Sequence, residues 1–288
     1  MSAAPPAAAA RAAGRAAVRA HDENFPVAFL LAPRDVRDDL RTVYAFCRAT
    51  DDLGDEGPGG PAERLAALDA WEAALRSGSG DLGPVPAATA GLARRRGIPL
   101  DVFARLIEAN RIDQRRTRWD TREELIDYCR HSATPVGEMV LGVLGYRDPW
   151  RVGMSDDTCI GLQLVNLWQD VARDLRDRGR IYLPKASMAA HGVTEEDLRA
   201  PSAGPAVRAL LAGEVAVARA HLEAGAPLHR FVPARVSLDL RMFTAGGLAL
   251  CDAIARQDHD TLARRPAPGA AGRLRIAATV LAGLARGR

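Results

Sequence analysis

The stretch from Cys159 to Pro184, CIGLQLVNLWQDVARDLRDRGRIYLP, constrains the fold of this chain more than any other. Read as a helix with about 100° per residue, it places five polar side chains within an arc of about 80°. They are Gln163, Asn166, Asp170, Asp174 and Asp177. Apolar residues cover much of the remaining surface, which is typical of a buried helix. The pattern therefore predicts a buried helix that carries a row of carboxylates and amides.

Such a row indicates a metal site. Buried carboxylates are unfavourable unless they are paired with a cation. Their oxygens suit Mg²⁺, which binds through one or two carboxylates together with substrate phosphates. The alternative for this stretch alone is a solvated acidic face, balanced at the surface by Arg173, Arg176 and Arg178.

A second acidic row lies upstream, on a helix predicted from Pro33 to about Asp55. Its polar side chains share another arc of about 80°, and Val36, Leu40, Val43 and Cys47 form the adjacent apolar stripe. The arc comprises Arg37, Arg41, Tyr44, Arg48, Asp51 and Asp55, with Asp52 at its edge. Its carboxylates could bind Mg²⁺ while its arginines contact the anion that the metal also binds. We expect the two acidic rows to face one cavity.

Composition favours an all-α fold without nucleic-acid partners. The 288 residues are 48% hydrophobic and only 5% aromatic, and β-branched residues are sparse. The net charge of +3 comes from interspersed acids and bases, which is too mild for a nucleic-acid-binding protein. The four cysteines lie far apart in apolar runs, so we expect them to be buried and reduced. The histidines show no metal-ligand spacing.

The start of the chain indicates its location. Residues 1–17 are rich in alanine and proline, lack the apolar core of a signal peptide and are predicted to be a disordered tail. No apolar run approaches the ~18 residues of a membrane span. We therefore expect a cytoplasmic protein.

Periodicity and turn residues predict the remaining helices. The helix at 123–144 is expected to be kinked near Pro135. Residues 145–155 are predicted to be a loop, with Ser155 capping the central helix, and residues 180–193 an extended connector. The other helices are expected near 62–75 and 87–95, from just after GIP at 97–99 through Asp113, and near 123–144, 205–224 and 238–257, with a last one through Leu284.

Several blocks resemble the squalene/phytoene synthase family, in order and over most of the chain from His21 onward. They are YAFCRATDDLGDEG at 44–57, YCRHSATPVG at 128–137, LQLVNLWQDVARD at 162–174, RIYLP at 180–184, and the tail from Gly246 to Pro266 with DTLARRP. ENFPVA at 23–28 and NLWQDVARD at 166–174 resemble its hopanoid-pathway branch, the hydroxysqualene synthases. The resemblance implies one all-α isoprenoid synthase domain, residues 18–288, around a central apolar cavity.

The resemblance also implies an activity. In this branch, presqualene diphosphate and water give hydroxysqualene and diphosphate, a carbon–oxygen lyase reaction that needs Mg²⁺, or Mn²⁺ in its place, and no nicotinamide cofactor. Because substrate and product are lipids, we expect loose association with the membrane surface, and docking with neighbouring pathway enzymes is a further expectation. One alternative is a squalene or phytoene synthase, which joins two prenyl diphosphates such as farnesyl diphosphate. A non-catalytic scaffold is the other.

The resemblance also implies which residues form the site, because individual positions of this chain match the motifs of the family. Asp51, Asp52 and Asp55 match the first metal motif of the family, Asp170 and Asp174 match the second with Gln163 and Asn166 beside it, and Arg37, Tyr44, Arg48, Arg180 and Tyr182 match positions near the diphosphate. Three positions depart from the pattern. His131 replaces a frequent tyrosine, Glu138 replaces a frequent basic residue, and Arg180 follows Asp174 one position later than expected. A catalytic histidine that holds the attacking water and a structural core histidine are both open for His131.

Overall fold

The computed structural model describes residues 34–269 and, beyond them, positions 272, 274, 276, 278 and 282. The tail at 1–17 and the ENFPVA block at 23–28 lie outside the described residues. The five later positions are all helical, but the expected end of the last helix at Leu284 also lies outside.

The described chain is helical, which confirms the all-α prediction. Its α-helices are α1 (Arg34–Asp55), α2 (Pro61–Ser77), α3 (Pro84–Arg96), α4 (Leu100–Arg115), α5 (Arg122–Ser132), α6 (Thr134–Val143), α7 (Pro149–Gln169), α8 (Val171–Arg178), α9 (Lys185–Ala190), α10 (Pro205–Gly225) and α11 (Ala234–Arg256). Short 3₁₀ helices span Asp197–Arg199 and Ala226–Phe231. The described residues form no β-sheet, and Arg118 and Ile181 make an isolated parallel bridge.

Parts of the observed helix assignment differ from the prediction. Helix α7 begins at Pro149, so the predicted loop is shorter and Ser155 is a buried helical residue rather than a cap. The helix predicted through the second acidic row is interrupted at Asp170, whose backbone leaves the helical region (φ −106°, ψ 13°). Part of the predicted extended connector is helical, as α9. The predicted kink is confirmed as a break at Ala133, between α5 and α6.

The chain divides into two compact units. Among the described residues, the first comprises those up to Arg115 together with His131–Val152, and the second comprises Arg116–Arg130 together with those from Gly153 onward. The expectation of one domain around a central cavity stays a prediction. Within the described part of the chain, every helix is too short or too polar to cross a lipid bilayer.

Helix α1 is the centre of the first unit. It packs against α2, α3, α4 and α6, and the predicted stripe residues Leu40 and Val43 are buried. Phe46 is fully buried and stacks near Trp71, with ring centroids 6.2 Å apart. The indole N–H of Trp71 donates to the Thr50 hydroxyl at 3.0 Å, which ties α2 to the turn before the acidic residues. This packing fixes the polar end of α1.

Helix α7 is anchored within the second unit by its contact with α10. A Cβ atom on Gly161 would lie 2.7 Å from Leu222 Cγ and 2.9 Å from the carbonyl oxygen of Ala218, so the close approach requires glycine. The indole of buried Trp168 donates to the carbonyl of Glu214 at 3.2 Å. These contacts fix the helix that leads into the second acidic row.

Of the cysteines, Cys129 and Cys251 are buried and reduced as expected, whereas Cys47 and Cys159 are only partly buried.

Candidate active site

The first acidic motif, Asp51, Asp52 and Asp55, lies in the last turn of α1 and is partly buried. Arg48, one turn back, pairs with Asp52 at 2.8 Å. The Asn110 side chain of α4 donates an N–H to Asp51 Oδ1 at 3.2 Å. The arginine and the carboxylates therefore lie together on one face of α1, as predicted.

Burial raises the pKa of Asp51 from 3.8 to about 7. The carboxylates of Asp55 and Asp52 raise this pKa further, whereas the hydrogen bond from Asn110 and the charge of Arg48 lower it. Ionised Asp51 is thus poorly compensated by protein groups. A bound cation would favour its charged form.

Three further predicted residues lie in the same unit. Arg37 is partly buried and Tyr44 is buried, both on α1. His131 lies in the last turn of α5, partly buried, two residues before the break at Ala133. Glu138, which departs from the family pattern, pairs with Arg105 of α4. Its charge is therefore balanced by an arginine from another helix.

The second acidic motif, Asp170 and Asp174, surrounds the break between α7 and α8. Arg265 contacts both carboxylate oxygens of Asp170, at 2.5 and 2.9 Å, and also donates to Gln169 at 2.8 Å. Asp174 is buried and pairs with Arg178 at 3.2 Å. Burial raises the pKa of Asp174 to about 6, with a further increase from the charge of Asp170 and a decrease from Arg178.

The row on α7 and α8 is less buried than predicted. Gln163 is partly buried, Asn166 is exposed, and Asp177 is exposed and pairs with Arg176 at 2.8 Å. The alternative of a solvated acidic face is therefore right for Asp177, and the prediction of a buried carboxylate is right for Asp174. Both residues lie in α8, and Asp177 is one residue from the end of that helix at Arg178.

The turn after α8 brings Arg180 beside the second motif. Gly179 adopts a left-handed conformation (φ 64°) and its N–H donates to the carbonyl of Leu175 at 3.1 Å. The N–H of Arg180 then donates to the carbonyl of Asp174 at 3.1 Å. The late position of Arg180 in the sequence is therefore compatible with a place next to the motif.

Tyr182 belongs to a buried aromatic cluster. Its ring stacks on that of Trp119 with centroids 4.5 Å apart, and the ring of Tyr128 lies 5.6 Å away. The N–H of Ile181 donates to the carbonyl of Thr117 at 3.0 Å. The cluster and this bridge hold the connector that carries Arg180.

The donor set fits a hard divalent cation. All predicted ligands are carboxylates, and the amides beside them also offer oxygen. In the described ranges, no three acidic, histidine or cysteine side chains converge as a metal cluster. A cation held here by one or two carboxylates would therefore complete its shell with water and phosphate oxygens, which is the mode that Mg²⁺ prefers.

Sequence reasoning missed three residues that contact these motifs: Asn110, Gln114 and Arg265. Asn110 could have been noticed as a lone amide on the apolar face of α4, next to Leu106 and Ile107. Arg265 lies in a loop, where no periodicity indicates a partner. Its contact with Asp170 spans 95 positions of the sequence.

Comparisons with known proteins show the family of this chain. A family model described as squalene/phytoene synthase matches residues 18–271. The chain is 36% identical to a hydroxysqualene synthase of Rhodopseudomonas palustris over 209 residues, 72% of this chain and 70% of that protein. It is 34% identical to a phytoene synthase of Thermus thermophilus over 255 residues, 86% of this chain and 84% of that protein.

Solved structures show the same fold. The crystal structure of squalene synthase HpnC from Alicyclobacillus acidocaldarius has a TM-score of 0.80 and 43% identity, covering 89% of this chain and 97% of that one. A dehydrosqualene synthase in complex with ligand has a TM-score of 0.86 over 98% and 100% of the chains, but at 22% identity this likeness concerns the fold alone. The fold places the chain in the class of all-α isoprenoid synthases. The chain belongs to the squalene/phytoene synthase family.

Proposed function

We propose that this protein is a hydroxysqualene synthase that converts presqualene diphosphate and water to hydroxysqualene and diphosphate. The observation that carries the proposal is the similarity to proteins of that branch. A hydroxysqualene synthase of Rhodopseudomonas palustris is 36% identical, and one of Sinorhizobium fredii is 37% identical over 181 residues. Both acidic motifs that the chemistry requires are present.

Ligands for the metal would be Asp51, Asp52 and Asp55 in the first motif and Asp170 and Asp174 in the second. Magnesium ions there would neutralise the diphosphate and act as a Lewis acid on its departure. The raised pKa values of Asp51 and Asp174 support this assignment, since clustered buried carboxylates favour a cation.

Cationic and hydroxyl side chains would bind the diphosphate itself. Arginine suits this role because its planar guanidinium contacts two phosphate oxygens at once. Arg48 lies one turn from Asp52, and Arg180 is bonded through its backbone to Asp174. We assign substrate binding to Arg37, Tyr44, Arg48, Gln163, Asn166, Arg180 and Tyr182. Apolar side chains would exclude uncontrolled water from the carbocation.

Condensation of two prenyl diphosphates is the second candidate function. The match to the phytoene synthase of Thermus thermophilus covers 84% of that protein, a larger share than the 70% for the hydroxysqualene synthase of Rhodopseudomonas palustris. Both reactions use the same acidic motifs, so these motifs do not discriminate between them.

Product analysis separates the two candidates. The protein would be incubated with presqualene, farnesyl or geranylgeranyl diphosphate, with and without Mg²⁺, and the products identified by mass spectrometry. Hydroxysqualene from presqualene diphosphate, and no product from the other two, is the expected result. Condensation of farnesyl or geranylgeranyl diphosphate would instead establish the second candidate.

Variants test the metal assignment. Asp51→Asn and Asp170→Asn should each remove most turnover, because a neutral amide is a poor Mg²⁺ ligand of similar shape. The exposed Asp81→Asn is the matched control and should keep normal turnover. Near-normal turnover in Asp51→Asn or Asp170→Asn would contradict the assignment.

A further inference from the structure

A buried amide contacts the first acidic motif from α4. Asn110 is only 8% exposed and lies on a helix face that otherwise carries buried apolar side chains such as Phe103 and Ile107. Its N–H group reaches Asp51 Oδ1 at 3.2 Å and the carbonyl of Leu106 at 3.3 Å. A buried amide is unfavourable unless its hydrogen bonds are made, so its orientation is restricted to this one.

The backbone of the motif is shaped around this amide. A Cβ atom on Gly54 would lie 2.1 Å from Asn110 Oδ1 and 2.9 Å from its Cγ, so a side chain at 54 would displace the amide. One turn further along α4, Gln114 donates to the carbonyl of Gly54 at 2.9 Å. Two amides of α4 therefore hold the last turn of α1, and glycine within the motif makes the close approach possible.

Asn110 differs in charge from the other partners of the acidic residues. Asp52, Asp170 and Asp174 each pair with a guanidinium, which holds the carboxylate and also neutralises it. An amide is neutral, so Asn110 can hold Asp51 in one orientation and leave its negative charge available to a cation.

We propose that Asn110 is a positioning residue, which holds the carboxylate of Asp51 in the orientation used to bind a divalent cation. This inference rests on the proposed metal function of the first motif. It extends the site to a residue that carries no charge and contacts the cation only through Asp51. If Asn110 were merely a packing residue, its loss would lower stability without changing cation affinity.

The first test measures Mn²⁺ binding by electron paramagnetic resonance, on the full chain with inorganic diphosphate present. Asn110→Leu keeps the approximate volume and removes the donor. Its Mn²⁺ dissociation constant should rise about tenfold, the effect typical of losing a group that orients a metal ligand. Ile107→Val, on the same buried face, is the control and should lower stability with unchanged Mn²⁺ affinity. An affinity of Asn110→Leu within twofold of the wild type would overturn the proposal.

The second test uses the contact between Gly54 and Asn110 and does not depend on the folding of Asn110→Leu. Gly54→Ala should lower both the melting temperature and the Mn²⁺ affinity, because its methyl group displaces the amide. Adding Asn110→Ala makes room for that methyl, so the double variant should recover most of the lost melting temperature. Its Mn²⁺ affinity should stay weak. Recovery of both properties would overturn the proposal.

A third variant separates this inference from the proposed function. Asp51→Asn should abolish most Mn²⁺ binding at the first motif if that motif is a metal site. Unchanged binding in Asp51→Asn would overturn the metal function, and the role of Asn110 with it. Weak binding in Asp51→Asn combined with normal binding in Asn110→Leu would overturn the role of Asn110 alone.

Discussion

Arg265 forms a two-point ion pair with Asp170, with nitrogen–oxygen distances of 2.5 and 2.9 Å. The loop that carries Arg265 is itself held in place. Gln169 donates to the carbonyl of Pro266 at 2.5 Å, and Asp260 accepts backbone N–H groups from Leu262 and Ala263. Without a metal, the first carboxylate of the second motif is therefore balanced by an arginine of the chain.

Removal of this arginine should strengthen metal binding in the absence of diphosphate. In Arg265→Gln, a cation would no longer compete with the guanidinium for Asp170. An exposed ion pair contributes about 0.5–1 kcal/mol, so Mn²⁺ affinity measured by calorimetric titration should rise a few-fold. Arg264→Gln is the matched control, because Arg264 contacts Gln257 rather than a carboxylate. Equal affinities in the two variants would refute the competition.

The pKa of Asp51 predicts how stability depends on pH without metal. The pKa of this carboxyl is about 7 in the folded chain and 3.8 in the unfolded chain. At any pH between these two values, the carboxyl therefore takes up a proton when the chain folds. Stability should therefore fall as the pH rises from about 4 to about 7. Asp51→Asn removes this contribution and should be more stable than the wild type at pH 8, on the order of 2 kcal/mol.

Urea denaturation at pH 4 and pH 8 checks this expectation. The gain in Asp51→Asn should disappear at pH 4, where the wild-type carboxyl is protonated. Asp81→Asn, at an exposed site, should show no gain at either pH. Saturating Mg²⁺ with diphosphate should reverse the order at pH 8. A gain of equal size at both pH values would exclude titration of Asp51 as its cause.

The two acidic helices show what periodicity can predict. Helix α1 ends at Asp55 as predicted, because the glycine- and proline-rich segment at 56–61 follows it directly. The start of α7 was missed although the sequence contains its signal. Asp148 precedes Pro149 and accepts the N–H of Arg151 at 3.2 Å, an N-cap followed by proline at the first helical position.

The break at Asp170 and the partners of the carboxylates were not predictable in the same way. Hydrogen bonds continue across the break, from the N–H of Asp170 to Asn166 and from that of Asp174 to Asp170, so no helix-breaking residue indicates it. The contact between Asn110 and Asp51 spans 59 positions and depends on how two helices pack. Such contacts depend on tertiary structure, which a single sequence does not reveal.

The contacts of Arg118 should hold in place the connector that carries Arg180. Its guanidinium contacts Glu195 at 2.6 and 2.8 Å and the carbonyl of Gly179 at 2.6 Å. Arg118→Met should lower the free energy of unfolding by about 1–3 kcal/mol, because charged hydrogen bonds are lost. It should also weaken inorganic diphosphate binding, because the turn before Arg180 loosens.

The control for Arg118 is Arg199→Gln, since exposed Arg199 lies 3.6 Å from the same Glu195. Removal of such a surface pair should cost less than about 1 kcal/mol and leave diphosphate binding unchanged. Thermal denaturation and calorimetric titration measure the two quantities. If Arg118→Met lost stability but bound diphosphate normally, the connector would not position the anion site.

The choice between the two roles of His131 depends on the reaction product. His131 is partly buried and lies at the end of α5, next to the break that separates it from α6. A neutral imidazole can hold a water molecule and accept its proton, which suits a reaction that ends in water addition. If His131 holds the attacking water, His131→Phe should lower the amount of hydroxylated product relative to eliminated or rearranged hydrocarbon.

A second variant, His131→Gln, can hold water but accepts no proton, so it should retain part of the hydroxylated product. If His131 is structural, both variants should lose stability and keep the wild-type product ratio. Mass spectrometry of the products from presqualene diphosphate gives the ratio, and an unchanged ratio in folded His131→Phe would rule out the catalytic role.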